Sequence, residues 1–105
     1  MPILSREGEY RRMTVVHIPG KKSGHIMLYT LSTCYVCQKT KELLDDLGVE
    51  YDHKYVDHLH GDEREEAIQE VKAWNPRYTF PTLIIDNEKC IVGYRENDIK
   101  EALGK

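Results

Sequence analysis

The chain has 105 residues, with 15 Lys and Arg against 18 Asp and Glu and a formal net charge of -3. This length suffices for one domain with one hydrophobic core, and the mixed charge signs leave no basic patch for a nucleic acid. The longest nearly uncharged stretch, residues 26–36, is too short and too polar to cross a bilayer. We therefore expect a single domain that binds neither nucleic acid nor membrane.

Residues 1–24 are predicted to be an N-terminal extension of a domain that covers residues 25–105. Residues 1–12 are polar and charged without periodicity, which is typical of a poorly ordered leader, whereas residues 13–18 could form an extra strand. Pro19, Gly20 and Gly24 then indicate a turn. Because the N-terminus lacks a positive start followed by an apolar region and a cleavage site, we expect a cytoplasmic protein.

The next segment predicts a strand, a helix and a second strand. Residues 25–30 form the first strand candidate, and residues 35–47 have helical spacing that ends at Gly48, a favoured C-cap. The apolar face of that helix is predicted to hold Val36, Thr40, Leu43, Leu44 and Leu47. Residues 49–56 alternate tyrosine with charged side chains, as a half-buried strand does. This order indicates a parallel crossover unit.

The rest of the chain predicts a helix, a hairpin and a closing helix. The helix opens at residues 61–62 and ends at Asn75-Pro76, because proline cannot continue the hydrogen-bond ladder. Its inward face is predicted to hold Ala67, Ile68, Val71 and Trp74. Two β-branched runs, 82–86 and 89–94, flank a turn at Asn87-Glu88, and residues 97–103 form the closing helix. The whole order predicts an α/β fold, a mixed four-stranded sheet with helices on both faces.

Cys34-Tyr35-Val36-Cys37 is the motif that carries chemistry. Sulfurs three residues apart in the first turn of a helix are neighbours, within the separation that a disulfide tolerates. The helix N-terminus favours a thiolate at Cys34, which makes Cys34 the nucleophile, and Cys37 is expected to stay protonated until it attacks the mixed disulfide. Because neither proline nor histidine separates the cysteines, we expect a reducing role.

A metal or iron–sulfur site is the alternative use of the same two thiols. Zinc requires four ligands, and the remaining candidates are His58, His60 and Cys90. The two histidines lie in a polar loop, where solvated side chains are the commoner outcome, and Cys90 is expected in the core. A third possibility is a protein whose cysteines are only structural.

Three runs resemble the glutaredoxin family of the thioredoxin superfamily, and the resemblance covers residue 25 to the end. They are residues 29–41 around the dithiol, Thr79-Phe80-Pro81-Thr82, and residues 93–99. The resemblance implies a thioredoxin fold, thiol–disulfide oxidoreductase activity, and a cis proline at Pro81 that faces the dithiol. It also implies a substrate groove formed by Tyr35, Val36, Phe80, Pro81, Thr82, Gly93 and Tyr94.

The same comparison bears on the reductant. Tyr35-Val36 replaces a common Pro-Tyr, Leu31 stands where a glutathione-contacting lysine is frequent, and Gly93-Tyr94 replaces a Gly-Gly pair. These departures weigh against glutathione as co-substrate, and no other cofactor is expected. Residues 37–41 and 93–99 look more like NrdH-type redoxins, which donate electrons to ribonucleotide reductase. The implied partners are a protein disulfide and a thioredoxin reductase-like or other reductant, with the chain itself a monomer.

Overall fold

The computed structural model describes residues 15–105, which form one mixed sheet with helices on both faces. The strands are β1 (Val16–Ile18), β2 (Ile26–Thr30), β3 (Tyr51–Tyr55), β4 (Thr82–Ile85) and β5 (Lys89–Val92). The helices are α1 (Tyr35–Leu47), α2 (Gly61–Trp74) and α3 (Glu96–Ala102), and a 3₁₀ turn spans Val56–His58. These elements confirm the predicted order and fold class.

The sheet order β1-β3-β2-β4-β5 places β2 at the centre. β2 runs parallel to β3 and antiparallel to β4, so Leu28 lies between His53 on one side and Leu83 on the other. Parallel β2 and β3 are joined by α1, which confirms the predicted crossover. The carboxyl ends of β2 and β3 therefore share one edge of the sheet, and the loop that leads to Cys34 leaves from that edge.

The extra N-terminal strand is present as β1, which pairs antiparallel with β3. His17 ties it in place, because its Nδ1 lies 2.7 Å from an Asp52 carboxylate oxygen and its Nε2 lies 3.0 Å from Glu50. The hydrogen bond with Asp52 raises the pKa of His17. The predicted leader at residues 1–12 and the first two residues of the strand candidate 13–18 lie outside the described residues.

Two apolar clusters fill the space between sheet and helices. The first lies against α1 and α3 and holds Ile26, Leu28, Leu43, Leu44, Val49, Tyr51, Leu83, Ile85, Ile99 and Leu103. The second lies against α2 and holds Tyr29, Val56, Leu59, Ala67, Val71 and Ile84, with Ile68 and Trp74 packed on it. The inward face predicted for α2 is thereby confirmed. Successive β2 residues supply opposite clusters, because side chains alternate across a strand.

Three sequence predictions need correction. Val36 is 42% exposed, because it lies in the first turn of α1 and packs on neither apolar cluster. The hairpin turn lies one residue earlier than predicted, since Asp86 and Asn87 both have positive φ and Glu88 N donates to Ile85 O. Cys90 is only partly buried, because β5 is an edge strand, and it belongs to neither cluster.

Gly20 is the glycine at which the fold leaves no room for a side chain. A Cβ at this position would meet the backbone of Gly48 and Val49 at 2.7 Å, beside the bridge between Lys21 and Val49. We expect Gly20→Ala to lower the free energy of unfolding by about 1–3 kcal/mol, because backbone must move apart. Urea unfolding measures this loss.

Gly48→Ala is the matched control for that substitution. Its φ of 69° suits glycine, but nothing lies within 4 Å of an added Cβ. It should therefore cost only about 1 kcal/mol, the conformational penalty of a left-handed residue. Equal losses in the two variants would contradict the steric explanation for Gly20.

Candidate functional site

Cys34 lies at the junction between β2 and α1, as the sequence predicts. It is the N-cap of α1, with φ -92° and ψ 114°, and its carbonyl accepts the Gln38 N–H at 3.1 Å. Its own N–H donates to Leu31 O at 3.2 Å, which closes a tight turn over residues 31–34. The N–H groups of the first helical turn, which have no partner within the helix, therefore follow directly after this residue.

The two thiols of the motif have unequal surroundings. The Cys37 N–H donates to Cys34 Sγ at 3.2 Å, so the Cys34 sulfur takes the place of the usual oxygen of a helix cap. Cys34 is partly exposed, whereas Cys37 is only 1% exposed. Both are free thiols. One sulfur can therefore be reached from solution, and the other lies behind it.

The same asymmetry appears in the protonation of Cys37. Burial is the largest cause that raises its pKa, to about 12, and the neighbouring Cys34 sulfur and the charge of Asp57 act in the same direction. A hydrogen bond from the backbone of Leu31 opposes them. At neutral pH the reduced protein thus holds Cys37 as a thiol.

Ser32 and Asp57 adjoin the dithiol, and the sequence analysis did not single them out. Asp57, in the 3₁₀ turn after β3, accepts the Ser32 N–H at 2.9 Å and the Ser32 hydroxyl at 2.5 Å. Their only signal in the sequence is that each follows the end of one of two parallel strands. Such ends lie side by side, but the spacing does not say which side chains meet.

The Phe80–Pro81 peptide bond is cis, as the resemblance implies. Pro81 is buried at the start of β4, and its carbonyl accepts the Gly93 N–H at 2.9 Å. Thr82 was predicted to line the groove, but its side chain is fully buried and its hydroxyl donates to Thr79 O at 2.8 Å. Its side chain therefore braces the segment from inside.

Asn75 is a further residue of the site that the sequence did not reveal, since the sequence indicated only the end of a helix there. It is 5% exposed, and its amide nitrogen lies within hydrogen-bond distance of three acceptors. These are Thr79 O at 2.8 Å, Thr79 Oγ1 at 3.1 Å and Thr82 Oγ1 at 3.2 Å. Asn75 thus holds the residues that lead into Pro81.

Asn75→Ala should destabilise the protein by about 1–3 kcal/mol, because it leaves the buried Thr82 hydroxyl oxygen without its donor and removes the hydrogen bonds to Thr79. We also expect a higher KM for a disulfide substrate, since the segment before Pro81 loses the hydrogen bonds from the Asn75 amide. Thermal unfolding measures the loss of stability, and steady-state kinetics measure the KM. A variant as stable and as active as the parent protein would show that the amide does not hold this segment.

Two further residues of the predicted groove, Tyr35 and Tyr94, lie on either side of the Lys39 ammonium. Tyr35 is 71% exposed, and the Lys39 ammonium lies 5.8 Å from the centre of its ring and 5.1 Å from that of Tyr94. Tyr94 follows Gly93, whose N–H donates a hydrogen bond to the Pro81 carbonyl. Phe80 is partly buried on the second cluster. The three runs that carry the resemblance are thus linked by observed contacts.

The histidines and the third cysteine do not join this site. His58 is exposed at the end of the 3₁₀ turn, His60 is exposed at the N-cap of α2, and Cys90 lies on β5. Within residues 15–105, no three His, Cys, Asp or Glu side chains are grouped so that they could hold a metal ion. The four-ligand zinc site considered from the sequence is therefore not assembled in the part of the chain that the structure describes. No helix of that part is long and apolar enough to span a membrane.

Comparisons with known proteins find one matching family model and several similar proteins. A family model described as Glutaredoxin matches residues 26–91. The glutaredoxin of Methanosarcina mazei Go1 has a TM-score of 0.83 and 51% identity, over 88% of this chain and 89% of that one. Methanosarcina acetivorans methanoredoxin has a TM-score of 0.80 and 49% identity, over 82% and 90%. The Gene 56 protein of Mycobacterium phage D29 is 31% identical over 78 residues, 74% of this chain and 81% of the phage protein.

Proposed function

Because the chain belongs to the glutaredoxin family, we propose that it is a dithiol protein-disulfide reductase with Cys34 as nucleophile and Cys37 as resolving thiol. Family membership supports thiol–disulfide redox chemistry, in agreement with the resemblance found in the sequence. The observation that carries the finer proposal is the asymmetry of the two sulfurs. Cys34 is reachable and receives an N–H donor, whereas Cys37 is buried and held as a thiol.

In the first step, the Cys34 thiolate attacks one sulfur of a substrate disulfide. The Cys34–substrate bond forms, the substrate S–S bond breaks, and one substrate thiolate leaves and takes up a proton. The N–H groups at the start of α1 favour negative charge on the attacking sulfur. Cys37 does not compete, because its pKa is raised and its sulfur is covered.

In the second step, Cys37 loses its proton and attacks Cys34 Sγ. The Cys34–Cys37 disulfide forms and the second substrate thiol is released, so two electrons pass from the protein to the substrate. The first step itself promotes this deprotonation. Once Cys34 is bound to substrate it no longer carries negative charge, and that charge is one of the causes that raise the pKa of Cys37.

The surroundings of Cys34 support a polypeptide as the substrate. Tyr35 and Val36 expose apolar surface beside the sulfur, and Tyr94 lies across Lys39 from Tyr35. Such a rim offers contact area on both sides of an extended chain. We propose that Tyr35, Val36, Phe80, Pro81, Gly93 and Tyr94 line this groove, with Thr82 supporting it from inside.

We propose a reductase of the thioredoxin reductase type, rather than glutathione, as the electron source. Leu31 supports this choice, because it packs on the second cluster at the position where a glutathione-contacting lysine is frequent. A reducing role also suits the cytoplasm, where thiols are kept reduced.

A turnover assay with insulin as the protein disulfide tests both parts of the proposal. One arm supplies NADPH and thioredoxin reductase, and the other supplies glutathione, glutathione reductase and NADPH. We expect insulin reduction in the first arm. Equal or greater activity in the glutathione arm would contradict the proposed reductant. Failure in both arms, with the reduced protein also unable to reduce insulin stoichiometrically, would contradict the reductase function.

A further inference from the structure

One carboxylate outside the dithiol motif holds the turn that carries Cys34. Asp57 accepts both the backbone N–H and the hydroxyl of Ser32, which lies two residues before Cys34. The Cys34 N–H closes the same turn on Leu31 O. Asp57 comes from the far end of β3, a different strand from the one that leads to the dithiol. The position of Cys34 therefore depends on a contact between two strand ends.

Asp57 also brings a negative charge to this place. Burial acts to raise its pKa, but the hydrogen bonds from Ser32, a backbone hydrogen bond at Asp57 itself and the charge of the neighbouring His58 together outweigh it, so that the pKa lies below the usual range. The group is thus a carboxylate at neutral pH. It is close enough to the dithiol for its charge to be among the causes that raise the pKa of Cys37.

We propose that Asp57 is a positioning residue of the dithiol, which fixes the turn of Cys34 through Ser32 and holds a negative charge at that turn. This inference rests on the proposed function. The carboxylate restrains the second sulfur until Cys34 has formed the mixed disulfide, so that a single thiol attacks substrate. The two effects can be measured separately, because the turn affects the rate of attack by Cys34 and the charge affects the rate of attack by Cys37.

The attack by Cys37 on the mixed disulfide should be sensitive to the negative charge of Asp57. During thiolate attack on a disulfide, negative charge is spread over the entering and leaving sulfurs, which here are Cys37 and the substrate sulfur. Before that, Cys37 must give up its proton close to Asp57. The Asp57 carboxylate opposes this deprotonation by Coulomb repulsion, which solvent screens in part because Asp57 is exposed while Cys37 is buried.

The test follows the two thiol releases with 2,2′-dithiodipyridine, an uncharged disulfide whose released thiopyridone absorbs light. The reduced protein is mixed with less than one equivalent of reagent in a stopped-flow instrument, in a Cys90→Ser background. Attack by Cys34 gives the first release and attack by Cys37 gives the second. The compared proteins are the parent, Asp57→Asn, Asp57→Ala and Ser32→Ala, from about pH 6 to about pH 8.

Asp57→Asn keeps an oxygen that can accept the Ser32 N–H and removes the charge. We expect its second release to be faster at every pH, by about threefold at most, the equivalent of about half a pKa unit for a charge exposed to solvent. Its first release should stay close to the parent rate. A second release that superimposes on the parent profile at every pH would overturn the role of the charge.

Ser32→Ala and Asp57→Ala probe the positioning role. Both substitutions remove a hydrogen bond between Ser32 and Asp57, so both should slow the first release several-fold. Asp57→Asn keeps an acceptor for Ser32 and should give the first release at close to the parent rate. Of these two alanine variants, only Asp57→Ala should also speed the second release, because it alone removes the charge. An unchanged first release in both alanine variants would overturn the positioning role. A parent protein that gives no second release at all would instead contradict the dithiol function on which the inference rests.

Discussion

Replacing Cys34 by serine should reduce turnover with a protein disulfide to the uncatalysed rate. A serine hydroxyl does not form the thiolate that attacks a disulfide, and Cys37 cannot substitute because it is buried with a pKa of about 12. The insulin assay described above measures the loss. Cys90→Ser is the matched control, since Cys90 lies on β5 away from the dithiol, and it should retain the parent rate.

Cys37→Ser should behave differently from Cys34→Ser. It keeps the first step and lacks the second, so we expect one substrate thiol to be released per protein and the mixed disulfide to accumulate. Mass spectrometry detects that adduct on Cys34. Full multiple turnover by Cys37→Ser with a protein disulfide would show that resolution does not use Cys37. Full turnover by Cys34→Ser would contradict the assignment of the nucleophile.

His53 should make the stability of the protein fall steeply in mild acid. It is 1% exposed at the middle of β3, with Nε2 2.6 Å from the Thr30 hydroxyl oxygen, while Nδ1 has no partner among the described residues. Burial lowers its pKa from 6.5 to about 4, and the charge of Lys41 acts in the same direction. The folded protein therefore holds His53 neutral at pH values at which the unfolded chain has taken up a proton.

The sign follows from proton binding. Between pH 6.5 and about pH 4 the unfolded state binds more protons at this site than the folded state, so acid favours unfolding. The stability contributed by neutral His53 is fully present above 6.5, the pKa of His53 in the unfolded chain. It is lost as the pH falls to about 4, the pKa of His53 in the folded protein. The total loss is about 3 kcal/mol. Urea unfolding at a series of pH values measures it.

Two variants isolate this contribution. His53→Gln has no titrating group, so its stability should lose most of the dependence on pH in this window, whatever its absolute stability. His58→Gln changes an exposed histidine and should keep the parent profile. The His17 ion pairs act in the opposite direction, because a raised pKa stabilises the fold in acid, and they are common to all three proteins. A parent profile as flat as that of His53→Gln would contradict a buried neutral His53.

Much of the site followed from local sequence rules. The α1 bounds, with Cys34 at the N-cap and Gly48 at the C-cap, agree with the prediction because helix ends are set by short-range hydrogen bonds. The parallel crossover followed from the order of elements. The predictions failed where burial depends on neighbouring layers. Val36 lies on the predicted apolar face and is exposed, and Cys90 has strand periodicity but lies at an edge.

The sequence by itself determined the order of strands and helices and the dithiol at a helix start, both of which depend on residues close together in the chain. The cis peptide bond at Pro81 was expected from the family resemblance alone. Only the tertiary structure decided which side chains from distant segments support the dithiol: Asp57 on Ser32 across 25 residues, and Lys39 between Tyr35 and Tyr94. Such contacts depend on the register of neighbouring strands and on how the helices pack on the sheet, which residue spacing in the chain does not specify.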